Sequence, residues 1–215
     1  MVAAQEALAR LQAGNQRFVA GVRDVHTLMS QLRRGDLVAG QTPFAIVLGC
    51  SDSRVPAELV FDQGVGDLFV IRVAGNIVAP SQIGSIEFAA ERFGTRLVVV
   101  LGHSLCGAVQ ATLEELERPT EMRSPNLRAI VDRIRPAVET LLETDLRRDP
   151  AALIRYAVRA NIRASVNHLC HGSQILEQLI LHDDLLVVGA EYSLETGIVD
   201  FFDGLPRGRS FGYRD

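Results

Sequence analysis

The sequence predicts an α/β fold with a mainly parallel central sheet, flanking helices and an antiparallel hairpin at the C-terminal edge. Three observations predict it. Short runs of β-branched and other apolar residues recur along the chain, and such unbroken runs are typical of strands that are buried on both faces. Amphipathic helical patterns separate these runs. After the last run, "SLETG" and "IVDFF" indicate a turn and a returning strand.

The predicted elements follow one another from the N terminus. A helix is predicted over about 3–20, where apolar residues fall near helical spacing and Gly21 ends the pattern, and a second amphipathic piece over about 27–38. The predicted strands cover 44–49, 67–73, 96–102 and 184–190. The helical patterns after the first strands cover 83–94, 106–116, 126–146 and 151–169. With no internal repeat or low-complexity linker, we expect a single domain over 1–215, with an N-terminal helical arm over about 1–40.

Composition narrows the class of protein. The 215 residues are 47% hydrophobic and 22% charged, as in an ordinary globular protein. A net charge of −4 without any basic block argues against a nucleic-acid partner. No apolar run approaches the roughly 20 residues that a membrane helix needs, and the first residues lack a signal-peptide core. We therefore expect a cytoplasmic protein, in which the three cysteines are reduced or bind a metal.

Three side chains that can bind a metal lie near the ends of predicted strands. Cys50 directly follows the first strand and His103 directly follows the third. Both should emerge at the carboxyl edge of the sheet, where open α/β sheets bind ligands. Cys106 lies one helical turn beyond His103. Two thiolates and one imidazole form a recognised catalytic zinc set with a fourth position open to water. A free-thiol pair beside a core histidine is the alternative interpretation.

Asp52 and Arg54 alternate with Cys50 along the chain. A carboxylate beside an arginine stays ionised and is held by charge-assisted hydrogen bonds. Next to a metal-bound water, such a pair could accept the hydrogen bond of the water. An isolated pair of this kind is usually a surface ion pair worth about 0–1 kcal/mol. Adjacency to a candidate metal ligand favours the functional interpretation.

The motifs "CSDSRV" and "GHSLCGAV" together resemble those of the β-class carbonic anhydrases. The likeness extends to "GQTPF", "FDQGVGDLFVIRVAGN", "GSIEFAAERFG" and "VVGAEYSLETG", and so covers most of the chain. The resemblance implies the β-carbonic anhydrase fold, with Cys50, His103 and Cys106 as ligands of Zn²⁺ and Asp52 with Arg54 as the catalytic dyad. It implies reversible hydration of carbon dioxide to bicarbonate and a proton by attack of zinc-bound hydroxide.

The same resemblance supplies expectations for the residues around the metal. It implies four substrate-binding residues: Gln41, Phe69, Phe88 and Gly107. From periodicity alone, the two phenylalanines would be core residues. Many family members have tyrosine where this chain has Phe88. Gly75 and Asn76 are expected to support the ligands from behind, and both Gly75 and Gly107 are expected where the backbone closely approaches the site.

The family also assembles as dimers or tetramers, with pocket residues that cross the dimer interface and N-terminal helices that embrace the neighbour. One branch of the family is regulated by bicarbonate through a tryptophan, at the position where this chain has Val47. Arg72 and Tyr192 resemble other parts of that region, but the set is incomplete. We therefore favour the branch in which Asp52 stays paired with Arg54 and zinc is open to water.

Two other functions are weighed against carbon dioxide hydration. One is a related zinc hydrolase of carbon disulfide or carbonyl sulfide on the same scaffold, and the other is a non-catalytic zinc-binding or thiol-sensing module. A second cluster, "NHLCHGS", places His168, Cys170 and His171 close together in sequence. We interpret it as the end of a helix before Gly172 rather than as a metal site.

Overall fold

The computed structural model describes residues 2–25, 27, 37–38, 40–119 and 124–206, and within them a five-stranded sheet. The strands are β1 (Ala45–Gly49), β2 (Leu68–Arg72), β3 (Leu97–His103), β4 (Leu186–Tyr192) and β5 (Val199–Asp203). Their order is β2-β1-β3-β4-β5. The first four strands are parallel, and β5 pairs antiparallel with β4. The predicted fold class, including its antiparallel C-terminal edge, is confirmed.

The central strands are buried on both faces, as their apolar runs predict. Every residue of β1 and β3 is buried. Because successive side chains of a strand point to opposite faces, Ile46 and Leu48 join one hydrophobic cluster while Ala45 and Val47 join another. The sheet therefore separates two cores, and each of them needs a layer of helices.

Seven α-helices lie wholly within the described parts of the chain. They are α1 (Ala4–Val19), α2 (Ala57–Val60), α3 (Pro80–Arg92), α4 (Gly107–Glu117), α5 (Pro125–Val138), α6 (Pro150–His171) and α7 (Gln174–His182). Proline opens α3, α5 and α6, at the position where its missing N–H costs nothing. None of these helices is long and apolar enough to cross a membrane.

Helices α1 and α2 cover one face of the sheet, and the longer helices from α3 onward cover the other. Leu8 and Leu11 of α1 are buried in the same cluster as Phe61. The apolar stripe of the N-terminal helix is therefore covered by its own chain.

The helices differ from the predictions in two places, and a third prediction lies outside the described residues. The pattern over 126–146 is helical only to Val138, and two 3₁₀ turns, Glu139–Glu143 and Asp145–Arg148, follow. Pro136 cannot donate a helical hydrogen bond and weakens the last turn. Helix α7 was missed, although Ser173 caps it by accepting a hydrogen bond from the Leu176 N–H. The predicted piece over 27–38 lies almost wholly outside the described residues.

The strand order determines where a ligand can bind. β2 pairs with one side of β1 and β3 with the other, so the connection after β2 crosses to the opposite side of β1. In sheets of this order, a crevice opens beyond the carboxyl ends of the strands at that switch point. Cys50 follows the end of β1, and His103 is the last residue of β3. The topology brings these distant positions to one place.

Candidate metal centre

Three potential ligand atoms converge at the switch point. The sulfurs of Cys50 and Cys106 and a ring nitrogen of His103 all lie within 4.8 Å of one another, and all three residues are buried. The two sulfurs are 4.0 Å apart. A disulfide would require about 2.05 Å, whereas two sulfurs that share a tetrahedral zinc ion at about 2.3 Å each would be about 3.8 Å apart. The spacing fits a shared metal ion.

The His103 ring is held so that one nitrogen faces the two sulfurs. Its Nδ1 lies 2.9 Å from the carbonyl oxygen of Ser104, and a protonated Nδ1 donates to it. The other ring nitrogen, Nε2, then carries the lone pair. It is buried and has no hydrogen-bond partner among the described residues. A buried polar atom without a partner is costly, and a metal ion in contact with the two thiolates would satisfy it. The residues present therefore fit a metal ion.

Cys50 lies in surroundings that favour its thiolate. Its pKa is lowered to about 4, first because Cys106 donates a hydrogen bond to it, and also through contacts with His103 and the Gly75 N–H. The Gly75 nitrogen is 3.3 Å from the Cys50 sulfur. Burial acts in the opposite direction but is outweighed. These contacts favour the thiolate form of Cys50.

Cys106 lies in surroundings that favour its protonated thiol. Its hydrogen bond with Cys50, followed by burial, raises the pKa of Cys106 far above its ordinary value. Cys106 is also the N-cap of α4, and the N–H groups of Ala108 and Val109 lower its pKa in part. A thiolate at this helix start would be favoured by the helix dipole. A divalent cation between the two sulfurs would release the remaining proton.

Asp52 is locked to Arg54 beside the three ligand atoms. Arg54 donates from Nε to Oδ1 at 2.9 Å and from Nη2 to Oδ2 at 2.7 Å. The Arg54 backbone N–H also donates to Oδ1. These bonds hold the pKa of Asp52 well below its usual range. Oδ2 remains 3.7 Å from the free nitrogen of His103. The carboxylate is therefore ionised, fixed in position and adjacent to the ligand atoms.

Arg72 fixes the turn that carries both Cys50 and Asp52. Its guanidinium donates to the backbone carbonyl oxygens of Cys50, at 3.0 Å, and of Asp52. Arg72 is the last residue of β2, and its position in the register is opposite Gly49. The sequence indicates Arg72 only as part of a regulatory region, and this structural contact is not predicted from it. An arginine that ends an edge strand beside a motif-bearing strand is the signal that could have indicated it.

A 3₁₀ turn, Ala74–Asn76, supports Cys50 from behind. Gly75 adopts φ 74° there, and a Cβ at this position would lie 2.8 Å from Cδ1 of Ile134. Two buried side chains of α6 hold the turn: Asn161 donates to the Gly75 carbonyl at 2.8 Å, and Ser165 donates to that of Asn76 at 3.0 Å. Both α6 residues were missed. They are polar residues on the otherwise apolar face of α6, and this departure from the pattern is a detectable signal.

The other expected pocket residues lie elsewhere. Gly107 adjoins Cys106, but a Cβ there would meet no atom within 4 Å, so crowding within the described chain does not explain this glycine. Gln41 is exposed and lies at the amino end of β1, opposite to Cys50. Phe69 lies opposite Ile46, three residues before Arg72, which is about 10 Å from the carboxyl edge. Phe88 is 53% exposed and packs against Phe69 at 6.2 Å between ring centroids. These three residues do not line the site of their own chain.

The second cysteine and histidine cluster does not converge. α6 ends at His171, and the Gly172 N–H donates to the carbonyl of His168. This confirms that the stretch is the end of a helix. Within the described residues, the only group of three or more such side chains close enough to hold a metal is Cys50, His103 and Cys106.

The chain is similar to known proteins over most of its length. The family model described as carbonic anhydrase matches residues 45–199. "Carbonic anhydrase 2" of Mycobacterium tuberculosis (strain ATCC 25618 / H37Rv) is 40% identical over 187 residues, which cover 87% of each chain. The carbonic anhydrase of Mycolicibacterium smegmatis is 39% identical over 190 residues, covering 88% of this chain and 89% of that protein.

Solved structures share the fold. The β-carbonic anhydrase CcaA is 29% identical, with a TM-score of 0.70 and coverage of 93% of each chain. One of the two tetrameric β-carbonic anhydrases described from Sordaria macrospora gives a TM-score of 0.71 at 22% identity, covering 88% of this chain and 93% of that chain. The second likeness supports the fold alone.

Proposed function

The chain belongs to the β-carbonic anhydrase family, and from this premise we propose that its carbonic anhydrase activity depends on a zinc ion held by Cys50, His103 and Cys106. The observation that carries the proposal is the convergence of their three ligand atoms within 4.8 Å. Two thiolates and one imidazole are the ligands that zinc prefers in a tetrahedral site. Three protein ligands leave one position for water or substrate, as catalytic zinc sites require.

A bound zinc ion supplies a Lewis acid that acidifies water, a chemistry for which carbonic anhydrase is the standard example. The residues of the chain then determine how the water or the substrate is oriented. Ionised Asp52 can only accept hydrogen bonds, so it selects an oxygen that carries a proton, either water or the hydroxyl of bicarbonate. Arg54 holds both oxygens of Asp52. It thereby keeps the carboxylate beside the site and prevents it from moving to become a fourth ligand.

The experiment that tests this function compares two aspartates that are both paired with arginine. Asp52→Asn keeps the shape of the side chain but removes its charge, and the amide can donate to the wrong oxygen. We expect carbon dioxide hydration to fall by about 10²–10⁴-fold, the usual contribution of a positioned acid or base, at unchanged zinc content. Asp145→Asn is the control, because Asp145 pairs with Arg148 at 3.1 Å but is 93% exposed and far from any ligand cluster. It should retain full activity.

Stopped-flow hydration assays over pH 7–9 and metal analysis of the purified chain provide the readouts. A wild-type chain with one zinc ion that hydrates carbon dioxide no faster than buffer would contradict the proposal. So would faster turnover of carbon disulfide or carbonyl sulfide than of carbon dioxide. Full activity of Asp52→Asn would exclude the role of Asp52 while leaving the metal assignment intact.

We also propose that Gln41, Phe69 and Phe88 complete the site of a neighbouring copy of the chain. The resemblance assigns them to a substrate pocket, yet all three lie away from the site of their own chain. Phe69, Phe88 and Phe93 form an aromatic trio with centroid distances of 5.7–6.2 Å. The trio lies beside the edge strand β2, and Phe88 remains more than half exposed. An exposed aromatic surface of this kind is typical of an interface.

Mixing two inactive variants tests this arrangement. Asp52→Asn disables its own site, and Gln41→Ala should disable the site of its neighbour. After dissociation and reassociation, a mixed dimer would contain one site with both residues intact. We expect each mixed dimer to have up to about half the activity of a wild-type dimer. No recovery, with mixed dimers verified by mass, would show that Gln41 acts within its own chain.

The remaining proposals concern organisation and location. We propose that residues 1–215 work as one domain in which the segment over about 1–40 forms a helical arm. Helix α1 shares a core cluster with the sheet, which supports a single domain. We propose a cytoplasmic location because its reducing conditions keep thiols available for a metal, and all three cysteines are free.

A further inference from the structure

An open cavity of about 670 Å³ lies between the start of α3, the C-terminal end of α5 and the C-terminal half of α6. Its volume falls in the range of small-molecule sites, about 300–1,000 Å³. None of Cys50, Asp52, His103 and Cys106 lines it. The cavity is therefore separate from the candidate metal centre.

The walls of the cavity are mostly apolar and small. The apolar residues that line it are Val78, Ala79, Pro80, Ile83, Pro136, Ala137 and Ala164. Such a surface contacts a flat or compact hydrocarbon group without offering it hydrogen bonds. The site therefore favours a ligand with an apolar body.

Two polar side chains of the cavity can donate hydrogen bonds to a ligand, and no acidic residue lines it. They are Arg133 on α5 and His168 on α6, both exposed, whereas the hydroxyl of Ser165 already donates to the Asn76 carbonyl. Arg133 donates one bond to the Ala129 carbonyl. In the part of the chain that the structure describes, Arg133 forms no ion pair with any carboxylate. Its remaining guanidinium donors suit a planar carboxylate, which arginine binds with two parallel bonds.

The start of α3 adds a second feature that favours an anion. Helix α3 begins at the cavity with Pro80, and its N-cap residue Ala79 forms no side-chain cap hydrogen bond. The positive end of the helix dipole therefore lies at the cavity that Arg133 also lines.

We propose that this cavity is a second ligand site, which binds a compact organic carboxylate with its apolar body against the small residues and its carboxylate on Arg133. His168 donates to the same carboxylate from a ring nitrogen. The ligand is a monoanion with a hydrocarbon part, because the cavity provides one arginine and an apolar floor. Neither inorganic phosphate nor a neutral aromatic molecule meets both conditions.

The test uses the full-length, zinc-loaded chain with ¹³C-labelled methyl groups and benzoate as the probe. Saturable shifts of the methyl signals of Ile83, Ala137 and Ala164 are expected. Benzyl alcohol and inorganic phosphate should each bind at least about tenfold more weakly, since each lacks one half of the recognition. These two probes separate recognition of the carboxylate from general attraction to charge or to apolar surface.

Two variants and a control locate the site. Arg133→Gln should weaken benzoate at least about fivefold, the loss expected for a charge-assisted hydrogen bond. Ala164→Trp should fill the cavity and abolish the shifts at Ile83 and Ala137. Arg128→Gln, another exposed arginine of α5 that does not line the cavity, should bind benzoate as the wild type does.

Three results would overturn the proposal. The first is the absence of saturable shifts, or shifts confined to methyl groups near the metal centre such as Ala108 and Val109. The second is equal binding of benzyl alcohol and benzoate. The third is unchanged benzoate affinity in both Arg133→Gln and Ala164→Trp. Carbonic anhydrase activity measured on the same samples shows whether the zinc-dependent function survives independently of this outcome.

Discussion

Cysteine and histidine are brought together in two regions of this molecule, and only one of these regions can hold a metal. At the metal centre, Cys50, His103 and Cys106 come from positions up to 56 residues apart, and their ligand atoms lie within 4.8 Å. At the end of α6, His168, Cys170 and His171 are nearly consecutive but form no such group among the described residues. Closeness along the chain thus gives no guarantee of convergence.

The difference has a geometric cause. Successive residues of a helix rotate by about 100° around its axis, so neighbouring side chains diverge from one another. A sheet edge has the opposite effect, because parallel strands end side by side and the loops that follow them face a common crevice. The electrostatics differ as well. The pKa of Cys50 is lowered by hydrogen bonds, whereas burial raises the pKa of Cys170, which has no comparable donors.

The largest expected effect is a loss of zinc and activity at the metal centre, which the same substitution at the end of α6 should not cause. Cys106→Ser should lose zinc and reduce carbon dioxide hydration by at least about a thousandfold, since the metal is expected to supply much of the roughly 10⁶-fold or greater acceleration that enzymes provide. Cys170→Ser, the same substitution at the end of α6, should retain one zinc ion per chain and full activity. Metal analysis and stopped-flow assays measure both variants.

Retention of zinc by Cys106→Ser with normal affinity would contradict the three-ligand site. Loss of zinc from Cys170→Ser, with its circular dichroism unchanged, would show that the α6 cluster takes part in metal binding. The two variants together therefore test whether Cys106 binds the metal and whether Cys170 takes no part in binding it.

A second prediction concerns the backbone behind Cys50. Gly75→Ala adds a methyl group at φ 74°, 2.8 Å from Ile134. The left-handed conformation costs about 1–2 kcal/mol, and overpacking costs about 1–3 kcal/mol more. We expect a loss of about 2–5 kcal/mol in the free energy of unfolding, with weaker zinc retention. Gly107→Ala is the matched control, because its Cβ meets nothing within 4 Å.

Chemical denaturation of the zinc-loaded proteins measures these two glycine variants. If Gly75→Ala and Gly107→Ala have equal stability, the 74–76 turn is not a rigid support for Cys50. The difference between the metal centre and the end of α6 would then depend only on the three ligand residues.

The sequence was sufficient to predict the sheet and the convergence of the three potential metal ligands, for a physical reason. Strands that are buried on both faces must be apolar throughout, so β1 and β3 stand out as uninterrupted runs. A polar residue directly after such a run must lie at the edge of the sheet. Cys50 and His103 satisfy this condition, and parallel pairing of their strands is enough to bring them together.

Other features depend on contacts that no local pattern carries. Asn161 and Ser165 meet the 74–76 turn across 86 and 89 residues of chain. Ser173 bonds Glu87 as well as capping the missed helix α7. Gln41, which the resemblance assigns to the pocket, lies at the opposite end of β1 from Cys50, a consequence of strand direction that the motif likeness did not reveal.

The smallest predicted effect tests whether α6 supports the turn behind Cys50 through Asn161. Asn161→Ala removes the bond to the Gly75 carbonyl and leaves that buried acceptor unpaired, which costs about 1–3 kcal/mol. Asn167→Ala, six residues further along the same helix, removes an exposed side chain and gains about 0.5 kcal/mol of helix propensity. Because both variants gain that propensity, the difference between their unfolding free energies isolates the buried contact. Surface substitutions usually change the free energy of unfolding by less than about 0.5 kcal/mol. A difference below that value would mean that α6 does not position the turn behind Cys50.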